Sequence, residues 1–164
     1  MVIREYSECD KEKVMDLLVQ LQNHLVAVDD ENVQILTTTY RTEYFNTLMN
    51  EISANSGRIF VATDYGTVIG LVVGIVEPKD EVDKLTNRCP KRGKILELVV
   101  SPNNRTAGVG SSLVNRMEGY FQEQQCEFVC VDVFAPNKDA IRFYQANAYA
   151  DRNIEMYKKL GEKL

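Results

Sequence analysis

LELVVSPNNRTAGVGSSLV, residues 96–114, decides how the rest of the chain is read. An apolar run closes at Pro102. Arg105, the glycines Gly108 and Gly110, and the pair Ser111–Ser112 then lead into Leu113, Val114, Met117 and Phe121, one face of a helix ending near Gln125. The local order is strand, tight turn, helix. The first turn of a helix presents unpaired N–H groups and the positive end of its dipole, which together make an anion site. Glycines without a Cβ let a phosphate lie against the main chain, and Arg105 adds a positive fork of donors. No Gly-Lys-Ser/Thr follows, so this is not a Walker A loop. The three-glycine spacing of a dinucleotide fingerprint is also absent. On these residues alone, a purely structural turn stays open beside the phosphate cradle.

Outward from this stretch, the period of the apolar residues alternates between helix and strand. VIREY (2–6) reads as a short opening strand. Val14, Leu17, Leu18, Leu21 and Leu25 recur at helical spacing between Cys9 and Val28, and DDEN (29–32) breaks that helix. Tyr44, Leu48 and Ile52 mark one face of a second helix over 40–53. RIFVATDY (58–65) and TVIGLVVGIVEP (67–78) flank Gly66 as an antiparallel hairpin. Residues 79–94 are charged, carry Pro90 and Gly93, and read as a loop. KILELVVS (94–101) and EFVCVDVF (127–134) are further strands. Asn137 is placed to cap a helix bearing Ala140, Ile141 and Tyr144, and NIEMYKKL (153–160) reads as a final strand. The expectation is one α+β domain over 1–164, with a mixed sheet.

Composition sets wide bounds on function. A chain of 164 residues, 45% apolar and 26% charged, can bury a proper core. Its longest apolar run is too short to span a bilayer. The opening MVIREYSECDKEK turns polar at once, so no secretory leader is expected and the cytoplasm is the default location. The acids outnumber the bases, 24 to 19, for a net charge of −5. That argues against a broad nucleic-acid footprint and is compatible with a cationic substrate. Cys9, Cys89, Cys126 and Cys130 match no zinc spacing, and a single histidine, His24, leaves little for a metal cluster. Cys126 and Cys130 sit at either end of a strand, where four residues span roughly 13 Å, too far for a disulfide. Buried or half-buried thiols are expected.

The 96–114 stretch resembles the pyrophosphate-binding segment of the GNAT superfamily of N-acetyltransferases, Arg/Gln-x-x-Gly-x-Gly/Ala after a strand; here the pattern is Arg105, Gly108 and Gly110. NKDAIRFYQANAY (137–149) is similar to a later element of the same family, Asn-x-x-Ala-x-x-Phe-Tyr-x-x-x-Gly-Phe. The two occur in the family's order with a strand between them, and the order of elements along the chain matches as well. Ala148–Tyr149 stands where the family has Gly-Phe, and Thr106–Ala107 where it has Gly-Lys. The first departure puts a positive-φ turn after the helix in question.

The resemblance implies a mostly antiparallel central sheet, splayed between its fourth and fifth strands and flanked by helices. It implies acetyl-CoA as donor and a primary amine of a small molecule or peptide as acceptor, joined directly without an acyl-enzyme and without a metal. A non-catalytic acyl-CoA sensor on the same fold is the alternative. By the same analogy the backbone of Leu98, Val99 and Val100 pairs with the pantetheine arm. Arg105, Thr106, Ala107, Gly108, Val109, Gly110, Ser111 and Ser112 hold the pyrophosphate, and Asn137 meets the cofactor from the neighbouring strand end. Homodimers are common in the family.

The chemistry needs a base, because an alkyl ammonium with a pKa near 10.4 is neutral in only about one molecule in 2,500 at pH 7. Glu97, the lone charge in ILELVV, is the candidate, and strict alternation puts it on one face with Ile95 and Val99. It reads equally as a solvent-facing carboxylate or one acting through a water. Tyr144 is the candidate acid for the departing thiolate by its family position; its spacing alone suits a core aromatic. His24 reads as solvent-facing. Asp29, Asp30 and Glu31 read as a solvated helix end that could also attract a cation.

Overall fold

Residues with two apolar faces end up in the middle of the sheet. In the computed structural model, which describes residues 1–78, 85, 88–105 and 107–160, five strands are ordered β1-β2-β3-β4-β5. They are β1 (Val2–Glu5), β2 (Arg58–Asp64), β3 (Thr67–Val76), β4 (Arg92–Val100) and β5 (Phe128–Val131). The helices are α1 (Lys11–Ala27), α2 (Tyr40–Ala54), α3 (Val109–Glu123) and α4 (Lys138–Ala146). β2 and β3 are near-continuous apolar runs because helices cover both sides of them. On one side Val14, Leu17 and Leu18 of α1 and Phe45 and Leu48 of α2 pack on Val61, Leu71 and Val73. On the other, Leu113, Val114, Met117 and Phe121 of α3 and Tyr144 of α4 pack on Phe60, Val72 and Ile95.

The start of α1 is fastened to β1 by a buried carboxylate. Asp10 accepts from both terminal nitrogens of Arg4 at 2.6 and 2.7 Å and from the amide and hydroxyl of Ser7 at 2.9 Å each. The Arg4 hydrogen bond is the main reason its pKa drops to about 2.

The sheet is antiparallel from β1 to β4, while β4 and β5 run parallel. Their pairing covers Arg92–Ile95 against Phe128–Val131 and then stops, whereas β4 continues to Val100 paired with β3 alone. The expected splay between the fourth and fifth strands is therefore present. It leaves the backbone of residues 97–100 with an open edge.

Three expectations change. The β3–β4 register shifts so that Val73 faces Glu97 while Gly74 faces Ile95, leaving Leu96 as an extra residue in β4. A bulge of this kind reverses alternation. Ile95 joins the α3 side, Val99 the α1–α2 side, so Ile95 does not share a face with Glu97 and Val99. The final strand over 153–160 does not form: residues 151–159 have no regular structure, and Ile154, Met156 and Tyr157 are exposed. Alternating apolar residues make a strand only where a neighbouring edge accepts the ladder, and no ladder reaches this segment. The loop read over 79–94 is strand from Arg92 onward, and residues 79–84, 86 and 87 lie outside the described residues.

Candidate active site

The turn into α3 is built of main chain. Gly108 caps the helix with φ 74°, a left-handed conformation that favours glycine, and a Cβ placed there would meet nothing within 4 Å. The approach to the first turn is thus open at Gly108. Gly110 serves a different end from the one expected. A Cβ there would come within 3.0 Å of the Phe143 ring, so its bareness admits α4 and not a phosphate. Val109 is buried in the core and offers only its backbone to a ligand. The Ser112 hydroxyl donates to the Gly108 carbonyl at 2.9 Å, closing the first turn on itself. Ser111 is half-buried, Ala107 is exposed, and Thr106 lies outside the described residues. Arg105 donates from Nε to the carbonyl of Val100 at 3.3 Å, which ties the exposed arginine to the end of the open β4 edge. Along that edge Leu98 and Val100 lean on the α3 cluster and Val99 is buried on the other side.

Asn137 is the expected N-cap: its Oδ1 accepts from the Ala140 amide at 3.2 Å. The same oxygen lies 3.5 Å from Nε2 of His24. His24 is therefore half-buried and bridges the end of α1 to the start of α4, in place of the solvent-facing position expected. The turn after α4 forms despite Ala148, which takes φ 66°. The amides of Ala148 and Tyr149 bond back to Gln145 and Tyr144, a Schellman motif. Its hydrophobic contact is Tyr149 edge-on to Tyr144, with ring centroids 5.3 Å apart.

Glu97 lies on the α2 side of the bulge. The Tyr44 hydroxyl donates to its Oε1, and Tyr40, one turn earlier, stacks on Tyr44 with centroids 4.8 Å apart and planes 11° from parallel. Burial pushes the Glu97 carboxyl up to about 7, Glu51 adds to the rise, and the Tyr44 hydrogen bond works against it. Tyr144 is 8% exposed, and burial followed by the charge on Glu97 raises its phenol above the ordinary value. It stays protonated at neutral pH. The dry surroundings that raise it also penalise a thiolate formed beside it, so donor and acceptor shift together. The structure thus brings Glu97 and Tyr144 within electrostatic reach of each other.

The acidic turn after α1 divides. Asp29 is buried and accepts from the amides of Val33 and Gln34 at 2.6 Å each and of Glu31 at 3.2 Å. It organises the loop, while Asp30 and Glu31 are exposed. Reading the sequence missed Tyr40 and Tyr44 as site residues. The signal was two tyrosines four apart on a helix, of which the sequence reading placed Tyr44 on one face with Leu48 and Ile52 and gave Tyr40 no face. Of the thiols, Cys9 is exposed and not buried as expected, and Cys126 and Cys130 are half-buried with raised pKa values. No group of three or more His, Cys, Asp or Glu placed to hold a metal occurs among the described residues, nor any helix long and apolar enough to cross a membrane.

Comparison with known proteins bears on the fold and the family. An uncharacterized N-acetyltransferase of Methanocaldococcus jannaschii is 25% identical over 155 residues, covering 94% of this chain and 81% of its own. A Bacillus halodurans protein solved as a mutant superposes with a TM-score of 0.82 at 21% identity, over 98% of this chain and 99% of its own. Glucosamine-6-phosphate N-acetyltransferase from Arabidopsis thaliana superposes with a TM-score of 0.67 at 21% identity, over 97% of each chain. The model of the acetyltransferase (GNAT) family matches residues 19–149. The chain belongs to that family and is an acetyl-CoA-dependent N-acetyltransferase.

Proposed function

We propose that this protein moves the acetyl group of acetyl-CoA directly to a primary amine, of a small molecule or a peptide, with no acyl-enzyme. One observation carries the reading. The open edge of β4 begins at Glu97, whose carboxyl is raised to about 7, and ends at the turn that opens α3 with a bare, left-handed glycine. The clear space over Gly108 and the charge of Arg105 fit a diphosphate, and the edge of β4 that β5 leaves open, up to the Val100 carbonyl held by Arg105, fits an extended amide-bearing arm. Arg105 and residues 107–111 would hold the first, Leu98 to Val100 the second, with Thr106 carried from the family pattern and Asn137 at the facing helix start; Ser112 drops out, its amide and hydroxyl both given to the Gly108 carbonyl. Bound there, acetyl-CoA supplies an activated acyl group on a thiol leaving group.

The rest is the chain's own work. Glu97, half charged near neutral pH, takes the proton from the acceptor ammonium, directly or through a water. As the nitrogen–carbonyl bond forms and the carbon–sulfur bond breaks, Tyr144 gives its proton to the leaving sulfur, and the second proton shed by the acylated nitrogen restores the phenol. Direct transfer is supported at two of the four thiols: burial raises Cys126, and raises Cys130 to about 11, the opposite of an activated nucleophile. The test is release of free thiol from acetyl-CoA with a panel of amines. The reading expects turnover with at least one amine and a 10- to 100-fold loss in Tyr144→Phe. Tight binding of acetyl-CoA with no turnover on any amine would instead support an acyl-CoA sensor.

A further inference from the structure

Glu97 acting as base leaves α2 without a role, yet α2 supplies a hydrogen-bond donor to its carboxylate. Tyr44 donates its hydroxyl proton to Oε1 of Glu97. Its ring is held flat against Tyr40 one turn away, and both tyrosines are half-buried. Tyr44 and Glu51 from α2 act on Glu97, and its charge is felt in turn by Tyr40 of α2 and Tyr144 of α4. Among the described residues no ion pair forms at this carboxylate. Its hydrogen-bond donor is Tyr44.

We propose that Tyr44 is a positioning residue for the base: it pins Oε1 of Glu97, leaves Oε2 to the acceptor amine, and is itself kept in place by the Tyr40 ring. This rests on Glu97 acting as base. The physical argument has two parts. A carboxylate on a flexible side chain has two equivalent oxygens, and a donor fixed to one of them selects the rotamer and presents the other lone pairs toward the open edge. The phenol also favours the charged form of the carboxyl, because a hydrogen bond to an ionised acceptor is stronger than one to a neutral acid. Burial alone would carry Glu97 higher than it stands, and Tyr44 pulls it back toward neutrality. Tyr44 does not lose its own proton, since burial, and then the charge on Glu97, raises its pKa well above the ordinary value. It holds a proton without passing it on. The Leu96 bulge is what makes the pairing reachable, because it turns Glu97 to the α2 side of the sheet.

The experiment is a carboxyl-carbon NMR titration of Glu97 in protein labelled at glutamate, with the resonance assigned by its loss in Glu97→Gln. It is run on the wild type, on Tyr44→Phe, and on protein carrying 3,5-difluorotyrosine at position 44, a stronger donor of the same shape. The acidic limb of kcat/KM is followed alongside. Tyr44→Phe is expected to raise the midpoint by about one pH unit, the shift one charge-assisted hydrogen bond supports. It should lower kcat while leaving the KM for acetyl-CoA unchanged. Difluorotyrosine is expected to lower the midpoint below that of the wild type, which a merely space-filling ring would not do. An unmoved midpoint in folded Tyr44→Phe, where Glu97→Gln still abolishes turnover, overturns the positioning role and leaves the base in place. Full turnover by Glu97→Gln overturns the base, and the positioning role with it, whatever the midpoint does.

Discussion

At the turn into α3, what would meet the proposed ligand is main chain: Gly108 stands in a left-handed cap with open space beside it, and Val109 and Gly110 have their side-chain positions committed to the core and to Phe143. At Glu97, on the other side of the same strand, the site is made of side chains. Glu97 comes from β4, Tyr40 and Tyr44 from α2, and Tyr144 from α4. A backbone site depends on residues that take up no room, and it tolerates change at every position except those few. A side-chain site depends on several elements arriving together, and here the charge on Glu97 raises each of the three tyrosines around it. One side is suited to binding an anion the same way each time. The other can be retuned by a single hydroxyl.

That contrast is open to attack from both sides. The largest expected effect is Glu97→Gln, which should lower kcat/KM by about 10²- to 10⁴-fold while leaving acetyl-CoA affinity intact. Its stability signature has a definite sign. The folded carboxyl stays protonated up to about 7 and the unfolded one releases its proton near the ordinary value, so the wild type loses stability as pH rises between the two. Glu97→Gln should therefore gain roughly 1–3 kcal/mol relative to wild type at pH 8, and little at pH 4, in urea melts. Equal melts at both values would mean that the carboxyl is not held dry.

Gly108→Val is the converse experiment. A β-branched residue at φ 74° is strained by about 1–3 kcal/mol, and its methyls would stand in the space left open there. Acetyl-CoA affinity should fall about 10- to 100-fold by calorimetry, with the Glu97 titration unmoved. If the base shifted as well, the two sides would not be separable. The smallest effect is expected at Ala148→Gly. Relieving φ 66° in the turn after α4 should raise stability by about 1 kcal/mol, seen as a higher Tm with turnover unchanged. A fall in Tm would show that the Ala148 methyl contributes packing beyond its strain.

The same contrast explains what could be read from the residues. The glycine turn, the β4 strand and the Asn137 cap are local, set by neighbours within a few positions, and each was visible in its own stretch. Glu97 was visible because a charge in ILELVV has nowhere cheap to go. Tyr44 was not, since its place on a face with Leu48 and Ile52 fits a core helix equally well and only the approach of β4 gives its hydroxyl a partner. The Leu96 bulge was hidden for a related reason. It belongs to the register with β3 and leaves no mark on the alternation of β4 alone. His24 meets Asn137 from the far end of the chain, a contact that no local pattern encodes. NIEMYKKL carries a strand's alternation without the edge that would make it one.

The most direct test of the account is amide chemical-shift mapping of the free protein as coenzyme A is added, since it requires no knowledge of the acceptor. The account predicts that the largest shifts fall on Leu98, Val99 and Val100 and on Gly108 to Ser111, with smaller ones at Asn137. Saturating coenzyme A with those amides unmoved, or with the shifts gathered at another surface, would contradict it.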